Sequence, residues 1–568
     1  MEVAGLAIAT FNEVFVIGKF IRQVLIDAGD QDSSFRKLES DFKYQQTLLS
    51  TFGKRFLETR FIYEIEDSLK DQIRTILEEL KRLVGEYGRL AARYDKEYAE
   101  TLKGVDKWWE TGIGSSTQPR EAGKPKIIHL ESTEIPGPTK PAAQEKKRAW
   151  SGWCFSRAQF SQGFASLEWA LSNRERLESL VRDHGDWVGR LMEVIKLTLF
   201  TRDTFSSNLS ELQDFQQKDA KALGMSKITM TRMFILDSSQ GEAVELDPGL
   251  VTTVHVPQGH SNSSTGATPP LGEGDLRNGT YNNQNVLIEY KHYPEPQQAT
   301  SNPEIARDRV QFLSKLLGVE CRKGEPTGSN NFTLHCLGFF HEPEESRYGL
   351  AFALPQDREP EPMSLHTAIG SLKRQSRPTL GQRFAIAHSI GYSLIEWFLV
   401  DWVHKSINSK NILFFRQERQ GLDYDSPYLC GFEYARPSGG ISDDPSKSKG
   451  LDWDIYRHPA RRGFPTETFG KIHDIYAFGV LLLELGLWQL APQLFGPTAK
   501  ATPSDIQETL VKNARERLGH FMGQKYRDAV LLCLESSLAV ELDDKRGSRL
   551  IAAFKEKVVA ILEEGRKL

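Results

Sequence analysis

Hydrophobic positions in the first third of the chain recur at intervals of three and four residues, the spacing that places them on one face of an α-helix. Val3 to Ile26 is the most apolar segment, with Leu6, Phe11, Val14, Phe15, Ile17, Phe20 and Ile21, and only Glu13, Lys19 and Arg22 interrupt it with charge. A charge near the middle of a bilayer costs about 2.5–3.5 kcal/mol on insertion scales. A helix buried in a bundle is therefore expected in place of a permanent membrane span, and a conditional membrane role is compatible with it. Leu48, Leu49, Phe52 and Phe56, then Leu69, Ile73, Ile76, Leu77, Leu80 and Leu83, predict long antiparallel helices between Ser34 and about Asp106. The helical spacing resumes at Ser166–Leu171 and continues through Leu177, Leu180, Val181, Trp187, Val188, Leu191, Met192 and Ile195.

The pattern breaks twice. Between Gly104 and Arg148 the chain is polar, carries Pro119, Pro125, Pro136, Pro138 and Pro141, and closes on Lys146-Lys147-Arg148. This reads as a disordered insertion at about 107–150. The basic triplet is a short solvated run on this reading, with anionic lipid or nuclear import as alternatives. From Asp237 to Asn283 the chain is rich in Gly, Ser, Thr, Pro and Asn, which predicts a linker with a strand or two near Val251–Val256. Gly272, Gly274 and Gly279 do not fit GxGxxG, so a turn-forming role is expected before a phosphate cradle.

Beyond this, Val286-Leu287-Ile288-Glu289-Tyr290-Lys291 predicts a strand, Pro303 to Leu317 a helix, and Phe332–Phe340 and Tyr348–Leu354 two further strands before a hinge near Pro355. A stripe of Phe384, Ala387, Ile390, Leu394, Ile395 and Phe398 predicts a long helix over Leu380–Trp402, and at least three more helices are expected in Ser504–Leu568.

A length of 568 residues suggests two to four domains. The net charge of −4 gives no nucleic-acid signature. Five scattered cysteines (Cys154, Cys321, Cys336, Cys430, Cys533), odd in number and without a CxxC pair, argue for a reducing, cytoplasmic setting. No secretory signal, zinc-ligand spacing, nucleophile elbow or dinucleotide fingerprint is present in the sequence.

Four stretches stand in a telling order: His404-Lys405-Ser406 with Asn411, then Gly431-Phe432-Glu433, then Pro459-Ala460, then Asp474-Ile475-Tyr476. They resemble the catalytic loop, magnesium loop, end of the activation segment and central helix of the protein-kinase C-lobe. The resemblance implies scaffold roles for His404, Phe432, Pro459 and Asp474, and a nucleotide-contacting role for Lys291 and Asn411. A surface lysine without such a role is the alternative for Lys291. Asn411 would be the one surviving metal ligand. Glu304 and Asp308 are both candidates for the acidic partner of Lys291, and Arg546 corresponds to a late arginine whose acidic partner is missing at Ala460.

The chemistry departs from the scaffold. Ser406 stands where the resemblance calls for a catalytic Asp, and a serine hydroxyl cannot serve as that base. Gly431 stands where a carboxylate would bind metal, with Glu433 two residues displaced. A pseudokinase is implied, not an enzyme, with ATP binding weak or metal-independent and magnesium not expected.

The Val3-Ala4-Gly5-Leu6 opening, the helices that follow, and Trp169-Ala170-Leu171 with its downstream leucine helix resemble the HeLo domain of fungal prion-inhibition and propagation proteins. That family implies a bundle whose N-terminal helix is released into membranes, here through Leu6, Phe11, Phe15 and Phe20. The fold class expected is multidomain: an all-α HeLo-like bundle over 1–222, a linker with first strands over 223–283, and an α+β bilobal kinase-like domain over 284–568, divided near 355. The function expected is intracellular signalling or cell death of the heterokaryon-incompatibility type. A protein partner acts on the kinase-like domain, the bundle meets membrane lipid at the plasma membrane, and a homo-oligomer forms on activation. An active atypical Ser/Thr kinase and a non-enzymatic scaffold are the alternatives.

Overall fold

The computed structural model describes residues 2–94, 174–237, 243–253, 275–293, 303–319, 332–371, 376–417, 421–438, 451–462, 467–495, 503–538 and 543–568, with short interruptions. The 107–150 insertion with Lys146–Arg148, the Ser166–Leu171 helix start, most of the linker with Gly272 and Gly274, and Cys154 and Cys321 lie outside the described residues. The chain divides into two compact units: Met1–Arg202 with Phe215–Met225, and Asp203–Asp214 with Ser226–Leu568.

The first unit is helical: α1 (Glu2–Gln31), α2 (Phe35–Phe52), the one-turn α3 (Phe61–Glu64), α4 (Asp67–Tyr94) and α5 (Arg174–Thr201). Each long helix contributes its apolar stripe to one core of Ile17, Ile21, Leu25, Phe35, Phe42, Val84, Tyr87, Leu177, Leu180 and Val181. A second, aromatic group joins Phe11 to Phe15 (5.7 Å) and Phe52 (5.8 Å), and Phe56 to Phe52 and Phe61. Phe11 is buried, whereas Leu6, Phe15 and Phe20 are half-buried.

The three charges that interrupt α1 are accommodated at its edge. Glu13 pairs with Lys81 of α4 at 2.6 Å, Arg22 pairs with Glu39 of α2 at 3.3 Å, and Lys19 is exposed over the Phe15 ring at 5.2 Å. They mark the face that does not enter the core. Ala4–Ile26 is nevertheless long and apolar enough to cross a membrane, and 56% of its most apolar window is buried in the protein.

In the second unit a five-stranded antiparallel sheet, β1 (Val251–Thr253), β2 (Asp275–Tyr281), β3 (Gln284–His292), β4 (Cys336–Glu342) and β5 (Arg347–Ala353), runs in the order β1-β2-β3-β5-β4. Val286–Tyr290 of β3 are all buried, so this central strand is covered on both faces. Asn282 and Asn283 take positive φ (47° and 62°) to close β2 onto β3 in the two-residue turn that matches strand twist. Gly279 lies inside β2, where a Cβ would come within 2.7 Å of the Thr252 carbonyl, so it serves strand packing. The helix Pro303–Leu317 packs against β4 and β5.

The rest of the unit is mainly helical. Leu380–Leu399 starts at a capping box, with the Thr379 side chain accepting from Gln382 N–H and Gln382 returning the bond. This helix stops short of Trp402, which was expected to end it; Trp402–Val403 instead pairs with Arg436–Pro437. At the centre, Lys471–Leu487 is buried along nearly its whole length and carries Asp474.

In the bundle Gly18 of α1 lies against the buried Gln46 amide of α2, where a Cβ would come within 2.2 Å of Nε2 and force that side chain to shift. Gly18→Val should therefore lower the stability of the bundle by about 1–3 kcal/mol through overpacking, read as a lower-temperature helical melting transition. An unchanged melt would show that α1 and α2 do not approach here.

Candidate functional site

The site is built outward from the central helix. Asp474 is fully buried; its Oδ2 accepts the His404 N–H at 2.6 Å and its Oδ1 the Lys405 N–H at 2.9 Å. Lys405 takes a left-handed φ of 66°, a conformation costing a non-glycine residue about 1–2 kcal/mol, which two charge-assisted bonds offset. Burial pushes the Asp474 carboxyl up to about 7, while the two amide donors and the charges of Lys405 and Arg436 favour its ionised form. Burial also holds His404 down to about 3, so its imidazole is neutral and Nδ1 accepts the Ser406 N–H at 3.3 Å.

Ser406 and Asn411 are turned toward each other. Asn411 Nδ2 donates to the Ser406 carbonyl at 2.8 Å and to its hydroxyl oxygen at 3.0 Å. Asn408 caps the turn by accepting the Lys410 and Asn411 N–H groups at 2.9 and 3.1 Å. The Asn411 amide is thus engaged within its own loop.

Gly431 adopts φ +83°, and a Cβ there would lie 2.2 Å from Asn411 Nδ2. At the position read from the sequence as lacking a carboxylate, a side chain would therefore have to displace Asn411 and accept a strained backbone. Its N–H donates to Oε2 of Glu289 at 3.0 Å, and Glu289 is a buried carboxyl in the middle of β3. Burial pushes Glu289 up to about 7, opposed by the Gly431, Glu433 and Phe432 amides. Two residues along β3, Lys291 Nζ donates to the Glu433 carbonyl at 2.7 Å. Burial, followed by nearby Arg309, lowers Lys291 to about 8. One strand thereby holds the Gly431–Tyr434 turn twice, by its amides through Glu289 and by its carbonyl through Lys291.

Phe432 completes the arrangement. Its ring lies 4.7 Å from His404 and 5.3 Å from Trp397, Trp397 lies 6.3 Å from Trp402, and Trp402 stacks on Phe312 at 5.3 Å. An aromatic column therefore runs from the turn to the Pro303–Leu317 helix. On the other side of the loop, Lys405, Ser406, Asn408, Tyr456, His458 and Asp474 line a small cleft of about 40 Å³. Pro459 opens the 3-10 turn below it, and His458 packs its ring on His473 and Tyr476.

The sequence motifs placed Lys291, Ser406, Asn411, Gly431, Phe432 and Asp474 together, and they do share one region. They did not point to Glu289, although an acid in the middle of an apolar strand is a signal that it must find donors inside. Arg546 also has a partner that the sequence did not suggest: its guanidinium pairs with Asp203 and donates to the Ser207 hydroxyl at 2.6 Å. Among the described residues no group of three or more His, Cys, Asp or Glu is placed to hold a metal ion.

Two outcomes follow from this geometry. Gly431→Asp should destabilise the second unit by about 2 kcal/mol or more, combining left-handed strain with overlap on Asn411, and should not create magnesium binding in a calorimetric titration. Because Glu289 is raised in the folded state, its stabilising share is complete below about pH 4.5 and is lost as pH rises through about 7. Glu289→Gln should flatten that part of the stability–pH curve by something on the order of 1–3 kcal/mol, measured by denaturant unfolding across the range.

No curated protein matches the chain. Residues 336–563, which hold most of this site, match the family model of a domain of unknown function (DUF7580), and residues 21–223, which hold most of the bundle, match that of HeLo, prion-inhibition and propagation.

Proposed function

We propose that this is a cytoplasmic signalling protein of the cell-death type, in which the bundle acts on membranes through α1 and the C-terminal unit is a kinase-like regulator without phosphotransfer activity. The observation that carries the membrane role is α1 itself: a helix with the length and apolarity of a membrane span, held in water by burial of one face. The HeLo match over residues 21–223 supports the cell-death type of signalling.

The regulatory half of the reading is supported by the Gly431 region. Phosphoryl transfer depends on metal-bound positioning and charge neutralisation. Ser406 offers no base, Gly431 supplies no carboxylate and sits in a backbone conformation that strains any other residue, and Asn411 and Lys291 are bonded within the protein. A five-stranded antiparallel sheet with one packed helix, followed by a helical part around a buried Asp474, is compatible with the bilobal kinase-like shape. A protein partner or a nucleotide would act by shifting this unit between two conformations and so releasing the bundle. Nucleotide entry would have to break the Lys291–Glu433 bond, which favours weak, metal-independent binding. Self-association and recruitment to the plasma membrane would follow release.

Dye-loaded anionic liposomes should leak with residues 1–225 and not with the resting full chain, and Phe15→Asp with Phe20→Asp should abolish the leakage. Intact liposomes with both proteins would end the membrane reading. A thermal-shift series with ATP should give the same small shift with and without magnesium. A shift requiring magnesium, together with transfer of labelled phosphate lost in Lys291→Met, would replace the regulator with an active kinase.

A further inference from the structure

The bundle interior contains a polar seam among its apolar contacts. His184 of α5 is wholly buried, with Nδ1 2.7 Å from Gln45 Oε1 of α2 and its ring 4.8 Å from Phe42. Gln45 Nε2 donates to the Val181 carbonyl at 3.0 Å, so its oxygen faces His184 and the imidazole proton belongs on Nδ1. The other ring nitrogen, Nε2, is buried without a hydrogen-bond partner, and so are both amide atoms of the adjacent Gln46.

Glycines bring the neighbouring helices down onto these two glutamines. A Cβ at Gly185 would lie 2.6 Å from Gln45 Nε2, and a Cβ at Gly18 of α1 would lie 2.2 Å from Gln46 Nε2. The Gln45–Gln46 pair therefore stands between His184 and α1.

A second proton on this imidazole would place a cation and a new donor where no acceptor waits. The cost of a buried unpaired charge is met by opening the site to water. Among the described residues no charged side chain offsets it, since burial is the cause that acts on His184. On α1 and α4, Glu13 is paired with Lys81; on α1 and α2, Arg22 is paired with Glu39. Lys19, Asp41 and Asp186 are exposed, Lys43 is half-buried, and Asp183 is bonded to Ser179 and Arg182.

We propose that His184 is an acid sensor: its protonation opens the crossing of α2 and α5, loosens α1 where Gly18 rests on Gln46, and frees α1 for lipid. This rests on the membrane reading of α1 given above, and adds the signal that triggers it. Burial alone lowers His184 to about 3 in the closed bundle. The closed form is thus fully favoured above the ordinary histidine value near 6.5 and loses ground as pH falls below it, by about tenfold per unit. In the second unit His404 shares this direction, while the raised carboxyls of Glu289, Asp474 and Glu484 oppose it, so the acid response is expected in the bundle.

The test is hydrogen exchange on the full chain at about pH 7.5 and about pH 5, corrected for intrinsic exchange, with liposome leakage on the same samples. Amides of α1 should open about 30-fold more often at the lower pH, the value for 1.5 units below an open-state pKa of 6.5. His184→Gln, which keeps a donor toward Gln45 and does not titrate, should remove that acceleration and any acid-induced leakage. The same acceleration in His184→Gln would overturn the sensor. So would a flat exchange profile of wild-type α1 across this range, a result that needs no variant to fold. Acceleration of α1 without leakage would uphold the sensor and refute the membrane role instead.

Discussion

An apolar helix long enough to span a bilayer is stable in water only while other surfaces cover it, and this constraint governs the first unit of the protein. α1 meets it by presenting Ile17, Ile21 and Leu25 to the core and by resting on Gln46 through Gly18. Its charges are kept along the edge, two of them paired with α2 and α4. How firmly the bundle holds this helix is set by how well the bundle interior is satisfied. That interior is mostly apolar, but the Gln45–Gln46–His184 seam leaves buried polar atoms without partners. Such atoms cost stability where α2 meets α1 and α5.

The second unit is organised around a different constraint, buried polar groups that must find partners inside. Asp474 still organises the His404–Lys405 backbone, because that role requires only a buried acceptor and two amides. The neighbouring polar groups are engaged in internal bonds. Asn411 donates to Ser406, Lys291 donates to Glu433, and the backbone of Gly431 is received by Glu289. Glu289 and Lys291 lie two apart on β3 and are both engaged with the Gly431–Tyr434 turn, so strand and turn are tied at two points.

Buried acids and buried imidazoles respond oppositely to protons, and His404 of the second unit sides with His184. His184 is held neutral in the bundle and resists acid, while Glu289, Asp474 and Glu484 are raised by burial and are relieved by it. The difference arises from one cause acting on opposite charge types: removal from water disfavours whichever form is ionised.

Local periodicity was enough to locate α1, α2, α4 and α5, the strand containing Lys291, and the helix Pro303–Leu317, since apolar spacing reports which face of an element is buried. Motif order was enough to bring Ser406, Asn411, Gly431 and Asp474 into one region. Pairings between distant polar groups were not legible. His184 and Gln45 are 139 residues apart, and Arg546 finds Asp203 across 343. Nor did the sequence reveal that Gly431 is left-handed against Asn411, or that Glu289 would receive its amide. A sequence pattern states that a residue will be buried; only the tertiary structure brings a particular donor to a particular acceptor, because hydrogen bonds and steric exclusion act over a few ångströms between chain segments that the pattern treats as independent.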